Sequence, residues 1–490
     1  MRVLPAASDK DNDVDLGVMR SRLKSLIFVP VAAYGTPGAK VFPCRPPEPP
    51  NSPVSFEVAN SWLQTCLTEH ETCGRGDRTT WPSRVVDVST SDPDTIRLYK
   101  PSPCEQGQYA CLSYCWGGPQ NVTLTRSSLN RLFSGIPVRE LGQTIRDAVE
   151  VTRRLGLRYL WVDALCIIQD SDEDKDVELS RMSKIYQQAT VTIAAADPVS
   201  SEDGFLHRGL NPPPKRRLGG DRLDPFVMPF GADGTVQLYD NPCLSRYFQR
   251  FHLNSRAWTL QEMLLSPRVL FYTAEEPLWL CQADRANDGD GDAATRVPYC
   301  PRGAETVWPS PYCHETNASE REEWLEILRL AADGGLFWET WEKLVESYTM
   351  RDMTFPTDRL RAMQALIDAV QHASGHRCLH GHWEPWLIQL LPWYVLHGVF
   401  GGEGSSHRAP TGSPSWSWAS VNDSVRFYRL WQNQCVTVLG VRDGDDALKI
   451  ECLVVAALDL QKLVNTSPEK GNGATYFPDL PKASSRNDGL

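Results

Sequence analysis

An excess of positive charge and a long apolar run are both missing from this chain of 490 residues. Its 50 Lys and Arg stand against 61 Asp and Glu, a formal net charge of −11, so no positive field is available to collect nucleic acid or anionic lipid. The longest apolar runs, Leu26–Tyr34 and Cys452–Leu458, fall far short of the ~20 residues of a membrane span. The N-terminus has no apolar core of signal-peptide length. We therefore expect a cytoplasmic protein with no membrane span and no nucleic-acid partner.

Short catalytic motifs are missing as well. No HExxH, GxSxG, Walker or GxGxxG pattern occurs in its proper context, and Gly117-Gly118 is too short to cradle a phosphate. The 14 cysteines include no CxxC pair, and without a secretion signal they indicate reduced, often buried thiols. No internal repeat that could serve as a built-in sensor is found. Function must therefore be sought in the organisation of the whole chain.

Hydrophobic periodicity and composition divide the chain into seven segments. They are a poorly ordered lead-in (1–55), an N-terminal helix and strand extension (56–104), an α/β core (105–282), a loop insertion (283–320), a helical segment (321–375), a β-rich C-terminal region (376–463) and a disordered tail (464–490).

The core segment alternates apolar runs of strand length with stretches of helical period. Strands are predicted at Tyr109–Trp116, Tyr159–Ile168 and Thr190–Ala196. Between the first two lies a helix with Thr144 as candidate N-cap and Gly156 just after its C-terminus. A β-α-β-α-β order requires right-handed crossovers and a parallel sheet. The predicted fold class is therefore α/β, with a helical segment and a mostly β C-terminal region.

Flanking segments carry weaker patterns. A helix is predicted from Phe56 to Cys73 with its end at Gly74, and a helix followed by a strand is predicted over 255–272. From Pro414 onward tryptophans alternate with serines, which predicts strands. Five tryptophans lie in regular elements beside apolar neighbours and are predicted to pack in the core: Trp116, Trp161, Trp258, Trp416 and Trp418.

An acidic stretch, Asp170–Asp176, follows the second core strand, where open parallel sheets place their ligand crevices. It is not an EF-hand loop, because Lys175 replaces the required glycine and Arg181 the bidentate Glu. Acids that complement a helix dipole explain it better. Glu178 follows and is our candidate catalytic residue, a base or a ligand for a ribose diol, although a simple helix acid is the alternative.

Asp163 is the second candidate in this region. It lies inside an otherwise apolar predicted strand, where a carboxylate must be paired or hydrogen-bonded. Arg146 or Arg256 would supply the partner. Whether such a pairing is structural or catalytic is left open by the sequence, and structural pairs are commoner.

Cys66, His70 and Cys73 follow the spacing C-x₃-H-x₂-C on a predicted helix. Three soft ligands begin a zinc site, but a closed one needs a fourth. A second cluster is a conceivable source: His376, Cys378, His380 and His382. Packed cysteines and a satisfied histidine explain the first group equally well. We therefore predict no metal centre, and retain Cys66, His70 and Cys73 as the alternative.

Four blocks of sequence, in this order, closely resemble the signature of the fungal heterokaryon-incompatibility (HET) domain. They are CLSYCWGG at 111–118, LRYLWVDALCIIQD at 157–170, ELSRMSKIYQQATVTIAAAD at 178–197 and SRAWTLQE at 255–262. The Trp62–Cys73 helix, the stretch from Trp341 to Leu360 and PSWSWAS at 414–420 are also similar to segments that family members share. The resemblance runs from about 60 to about 430.

This resemblance implies a cytosolic protein that acts in fungal non-self recognition and regulated cell death, with the HET domain as effector. Its partner would be an incompatibility protein or a sensor protein, and copies of the chain would also associate with one another. The domain is also distantly similar to Toll/interleukin-1 receptor (TIR) domains, several of which cleave NAD with a glutamate that corresponds best to Glu178. Lys175 stands where family members usually carry a tryptophan.

If NAD is a substrate, the weaker ligand-binding candidates around the same crevice are Ser113, Trp116, Asp170, Arg256, Gln261 and Glu262. For Arg256 and Glu262 the favoured alternative is a structural role, in which an Arg–Glu pair holds the helix against the sheet. No cofactor is assigned, and enzymatic activity stays undecided between an NAD glycohydrolase and a binding module without turnover. A third alternative is an accessory or tailoring protein of a secondary-metabolite pathway.

Overall fold

The structure is a computed structural model, in which twelve ranges are described: 27–32, 49–74, 81–102, 105–207, 226–230, 234–241, 251–273, 277–282, 317–395, 412–427, 436–441 and 448–452. Three predicted segments fall wholly or largely outside these ranges: the lead-in (1–55), the loop insertion (283–320) and the tail (464–490). The chain divides into two compact units, Met1–Arg429 and Leu430–Leu490.

Helices and strands alternate through most of the first unit. The helices are α1 (Pro53–Glu69), α2 (Leu129–Ser134), α3 (Gln143–Arg154), α4 (Asp163–Cys166), α5 (Asp172–Gln188), α6 (Trp258–Leu265), α7 (Asn317–Ala332), α8 (Trp338–Thr349), α9 (Gln364–Ser374) and α10 (Leu387–Leu390). The strands are β1 (Ile27–Ala32), β2 (Val85–Asp87), β3 (Thr95–Tyr99), β4 (Tyr109–Ser113), β5 (Ile136–Pro137), β6 (Tyr159–Trp161), β7 (Val191–Ala195), β8 (Phe226–Phe230), β9 (Gly234–Asn241), β10 (Arg268–Tyr272), β11 (Pro277–Cys281), β12 (Cys378–Leu379), β13 (His382–Trp383), β14 (Trp393–Val395) and β15 (Val425–Phe427). In the second unit, β16 (Val436–Val441) and β17 (Leu448–Cys452) pair as an antiparallel hairpin.

An eight-stranded sheet forms the centre of the first unit, in the order β11-β10-β7-β4-β6-β2-β3-β5. Its four central strands, β10, β7, β4 and β6, are mutually parallel, whereas the outer strands pair antiparallel. In chain order the parallel strands read 2-1-3-4, the arrangement of flavodoxin-like folds. The predicted α/β class with a parallel sheet is therefore confirmed.

The two crossovers run in opposite directions along the sheet. The first connection runs through α3 to β6, and the second runs from β6 through α5 to β7 on the far side of β4. Since both connections are expected to be right-handed, α3 and α5 cover opposite faces of the sheet. The strand order reverses between β4 and β7, so the carboxyl ends of these strands form the edge at which such folds place ligands.

Local capping explains where several helices begin and end. Ser52 accepts a hydrogen bond from the amide of Ser55 and Pro53 follows it, so α1 starts there. Gly74, with φ of 66°, closes the turn after α1 as predicted, and Gly156, with φ of 71°, follows α3. The N-cap of α3 is Gly142 rather than the predicted Thr144, because the helix begins at Gln143 and the Thr144 hydroxyl donates to the carbonyl of Ser200.

The predicted strand Tyr159–Ile168 is wrong in its second half. Strand β6 ends at Trp161, and the helix α4 starts at Asp163. The Asp163 carboxylate accepts the amide hydrogen of Ala164 at 2.7 Å, while the carbonyl of Val162 accepts from Cys166 at 2.8 Å. A run of apolar residues does not separate a buried strand from a buried helical turn, and here the aspartate favours the turn.

A second apolar core lies in the helical segment and the region after it. Helices α7, α8 and α9 pack together there, with Trp341, Trp383 and Trp418 fully buried. The period-two pattern after Pro414 predicts a strand, but residues Trp418–Ser420 form a 3₁₀ turn instead. The Ser417 hydroxyl caps that turn by accepting from the amide of Ala419 at 3.0 Å.

Smaller sheets complete the described part of the chain. Strands β1, β9 and β8 form one antiparallel sheet, and β12 with β13 and β14 with β15 form two-stranded ribbons. Across the described ranges, none of the helices has both the length and the apolar character that crossing a membrane requires.

Candidate functional site

A polar cluster of two buried and two partly exposed residues occupies the carboxyl edge of the parallel strands. Ser113 ends β4, Asp163 follows β6, and Arg256 and Glu262 come from the segment leading into and along α6. The Ser113 hydroxyl donates to Glu262 Oε2 at 2.5 Å, and Trp116 Nε1 donates to Asp163 Oδ2 at 2.9 Å. The guanidinium of Arg256 donates to the carbonyl oxygen of Tyr114. The fold thus brings together four of the six residues that the sequence predicted around one crevice, Ser113, Trp116, Arg256 and Glu262, and the catalytic candidate Asp163 lies beside them.

Charge in this cluster is compensated internally. Burial raises the pKa values of both Asp163 and Glu262, and the positive charge of Arg256 opposes that rise. Burial by itself would lower the pKa of Arg256, but the charges of the two carboxylates outweigh that effect and raise it. Arg256, not Arg146, is therefore the cation whose charge acts on both Asp163 and Glu262.

The remaining predicted crevice residues lie elsewhere or are enclosed. Gln261 is buried on α6. Asp170 accepts a hydrogen bond from the backbone amide of Arg126 at 2.8 Å, on an exposed surface. The cluster resembles an internal contact that fastens α6 to the sheet more than an open binding crevice, since Glu262 is buried and Asp163 is only partly exposed.

The acidic stretch is mostly the first turns of α5 rather than a loop. Ser171 caps the helix by accepting from the amide of Asp174, and the first turn holds Asp172, Glu173 and Asp174. Arg84 donates two hydrogen bonds to Asp174, at 2.6 and 2.8 Å. These acids complement the helix dipole, as the alternative interpretation predicted.

Glu178 lies one turn further along α5 and faces inward. Its side chain is 1% exposed, and Glu178, Met182 and Tyr186 share one buried face of the helix. Arg181 Nη1 lies 3.9 Å from one carboxylate oxygen, whereas the other oxygen, Oε2, has no hydrogen-bond partner among the described residues. A buried carboxylate oxygen without a partner is uncommon and is a reason to suspect a functional role.

Cysteines and a histidine meet at a second buried site. Cys66, His70 and Cys73 are joined by Cys281 from the end of β11, and their ligand atoms all lie within 4.8 Å of one another. The second cluster predicted from sequence does not contribute: His382 is buried beside Trp416 in the other core, where burial lowers its pKa to about 3. No local pattern in the sequence points to Cys281, because almost the whole α/β core lies between it and Cys73.

The tryptophans predicted to pack in the core do so to different degrees. Trp161 and Trp418 are fully buried, and Trp116 and Trp258 are partly buried against the sheet core. Trp416 is partly exposed, and its ring meets His380 edge-on at 5.5 Å.

The candidate site lies within one stretch of the chain that matches a known protein family. Residues 109–262 match the family model described as heterokaryon incompatibility protein (HET), so the match begins at β4 and ends at Glu262. The vegetative incompatibility protein HET-E-1 of Podospora anserina is 25% identical over 191 residues, 39% of this chain and 11% of that protein. The chain thus spans about a tenth of this relative's length. No solved structure matches.

Proposed function

The chain carries a heterokaryon-incompatibility domain at residues 109–262, and from this premise we propose that it acts in fungal non-self recognition and that this domain triggers regulated cell death. The observation that carries the proposal is the similarity to a vegetative incompatibility protein over 191 residues. The matched unit contains the polar cluster of Ser113, Asp163, Arg256 and Glu262, which fixes α6 against the sheet.

The geometry supports action through protein association. A carboxylate cluster that is satisfied by its own hydrogen bonds holds the domain in one shape, which preorganises a surface for partners. The partners we propose are an incompatibility or sensor protein and further copies of the chain.

Inducible expression in a filamentous fungus tests the cell-death role. We expect growth arrest and uptake of a membrane-impermeant dye after induction. A Trp161→Asp variant, which places a carboxylate at a fully buried position of β6, should abolish both effects at equal transcript level. Normal growth with the intact protein present at high level would refute the role in cell death.

Glu178 favours a second candidate function, the cleavage of NAD. Its unpartnered buried oxygen lies on the helix that follows a central parallel strand. In such a reaction the bond between the ribose C1′ and the nicotinamide nitrogen breaks, and nicotinamide leaves with the electron pair. Glu178 would hold the ribose and stabilise the cationic sugar, and water would then attack C1′ and lose a proton.

Access to Glu178 requires a change of conformation, because only 1% of the residue is exposed. Activity is therefore expected only after association has opened the α5 face. The test incubates purified protein at high concentration with NAD and measures nicotinamide release. The matched variants are Glu178→Gln and Glu173→Gln, the latter an acid on the same helix whose side chain is 84% exposed.

The variants separate the two candidates. Release that Glu178→Gln abolishes and Glu173→Gln retains would establish catalysis at this helix. Without release from folded, associated protein, NAD cleavage is refuted. If Glu178→Gln still kills the fungus, association alone accounts for the effect.

A further inference from the structure

Three sulfur atoms and one imidazole converge on one buried point. Cys66, Cys73 and Cys281 are at most 2% exposed and His70 is 9% exposed. All four ligand atoms lie within 4.8 Å of one another, and Cys281 Sγ is 3.4 Å from His70 Nδ1. Ligand atoms around tetrahedral zinc, with bonds of about 2.3 Å to sulfur and 2.0 Å to nitrogen, stand roughly 3.5 to 3.8 Å apart. The cluster has nearly the dimensions of a zinc site.

Two separate parts of the chain build this cluster. Cys66 and His70 are four residues apart at the C-terminal end of α1, so they share one face. Cys73 follows in a 3₁₀ turn that Gly74 ends. Cys281 is the last residue of β11, and it enters from an antiparallel edge strand of the central sheet.

Arg268 places a buried positive charge beside this point. It is fully buried, and its side chain donates to Cys66 Sγ at 3.0 Å and to the carbonyl of Cys73 at 3.1 Å. In the β10–β11 pairing Arg268 stands directly opposite Cys281, on the same face. Over the described ranges no carboxylate forms an ion pair with Arg268. A buried guanidinium is stabilised by a nearby negative charge, which thiolates bound to a metal ion would supply.

We propose that Cys66, His70, Cys73 and Cys281 bind one zinc ion that fixes helix α1 to strand β11. Three thiolates around Zn²⁺ carry a net charge of −1, which Arg268 neutralises. Four protein ligands complete the tetrahedron and leave no position for water or substrate, so the site is structural rather than catalytic. The donor set of three thiolates and one imidazole suits zinc, because soft ligands select it over hard cations.

Metal analysis of the purified full-length chain tests the proposal. We expect about one zinc ion per chain by mass spectrometry, and a shell of three sulfur atoms and one nitrogen by X-ray absorption at the zinc edge. Cys281→Ser should lower the zinc content at least about tenfold, since even the loss of an outer-shell partner costs that much affinity. The control Cys111→Ser, at a fully buried thiol of β4 outside the cluster, should retain its zinc.

A second measurement keeps the test decisive if Cys281→Ser fails to fold. Titration of the intact protein with an organomercurial should release zinc to a chromogenic chelator as the cluster thiols react. Folded protein without metal, with all 14 cysteines titrating as thiols after denaturation, would overturn the proposal. So would a disulfide within the cluster, seen as two missing thiols, or a stoichiometric metal other than zinc.

Discussion

Ser113 and Glu262 are 149 residues apart in the chain, and a 2.5 Å hydrogen bond joins them. The bond connects the end of β4 with the middle of α6, which lie at the two ends of the stretch, residues 109–262, that matches the heterokaryon-incompatibility family model. Both side chains are buried, at 1% and 5% exposure, so the contact is made away from water. The first and last signature blocks of this domain are therefore physically one site.

Removal of Glu262 should destabilise the protein strongly. Glu262→Ala leaves the Ser113 hydroxyl without its acceptor and takes one carboxylate from Arg256, so we expect the free energy of unfolding to fall by about 3 kcal/mol. Glu262→Gln should cost less, because an amide oxygen still accepts from Ser113. Urea denaturation measures both changes. Glu150→Ala is the control, and its free energy of unfolding should lie within about 0.5 kcal/mol of the wild-type value, because the Glu150 side chain is 42% exposed. Equal losses for Glu150→Ala and Glu262→Ala would contradict a structural role of the Glu262 contacts.

Asp163 and Asp87 should shape the pH dependence of stability in opposite directions. Burial raises the pKa of Asp163 above its ordinary 3.8, so the stability it contributes declines as pH rises from there through the folded-state pKa. Burial also acts on Asp87, but hydrogen bonds from Arg158 and Arg97 outweigh it and lower the pKa below 3.8. The contribution of Asp87 is therefore complete above pH 3.8 and is lost as pH falls through the lowered value.

Denaturation curves of Asp163→Asn and Asp87→Asn over a pH series measure these contributions. The advantage of the wild type over Asp163→Asn should shrink as pH rises above 3.8. Its advantage over Asp87→Asn should grow as pH approaches 3.8 from below and then stay constant. Parallel curves for all three proteins would refute the assigned directions.

Gly117 is required by both backbone conformation and space. Its φ is +69°, and a Cβ atom there would stand 2.3 Å from Cβ of Ser200 and 2.7 Å from the carbonyl oxygen of Val199. Gly117→Ala should therefore lower stability by more than the roughly 1 to 3 kcal/mol of backbone strain alone. Gly118→Ala is the matched variant, because φ is +150° there and its added Cβ meets nothing within 4 Å. Thermal unfolding should rank Gly117→Ala below Gly118→Ala, and the reverse order would show that the contact with Ser200 yields easily.

Arg84 and Asp174 should be strongly coupled. Their side chains are only 13% and 19% exposed, Arg84 also donates to the carbonyl of Cys166, and Asp174 also accepts from the amide of Ile168. A double-mutant cycle with Arg84→Met and Asp174→Ala should give a coupling energy of about 1 to 3 kcal/mol.

The exposed pair Arg361 and Asp176 provides the comparison for that cycle. Its atoms are 3.2 Å apart, with side-chain exposures of 40% and 73%. Its coupling should stay below about 1 kcal/mol, because water and salt screen exposed charges. Equal coupling in the two pairs would contradict the role assigned to burial.

The sequence predicted most of the regular core because its signals are local. Apolar spacing and capping residues located α1, α3 and α6 to within a few residues, but the first turns of α5 were interpreted as an acidic loop. The β-α-β-α-β order was enough to predict the parallel sheet. Prediction from the sequence failed where one apolar pattern is compatible with two kinds of secondary structure. Residues after Trp161 are apolar in either a strand or a helical turn, and the carboxylate of Asp163 decides for the turn through a contact with Ala164.

What the sequence determined by itself is the α/β class, the family blocks and the residue types available for each site. It also determined that Cys66 and His70 share a helix face, since four residues make about one helical turn. Only the tertiary structure decided that Glu178 is enclosed, that Ser113 meets Glu262, and that Cys281 and Arg268 complete the cysteine cluster. Those contacts depend on strand order and on β10–β11 register, which arise from packing of segments far apart in the chain, so no local spacing records them.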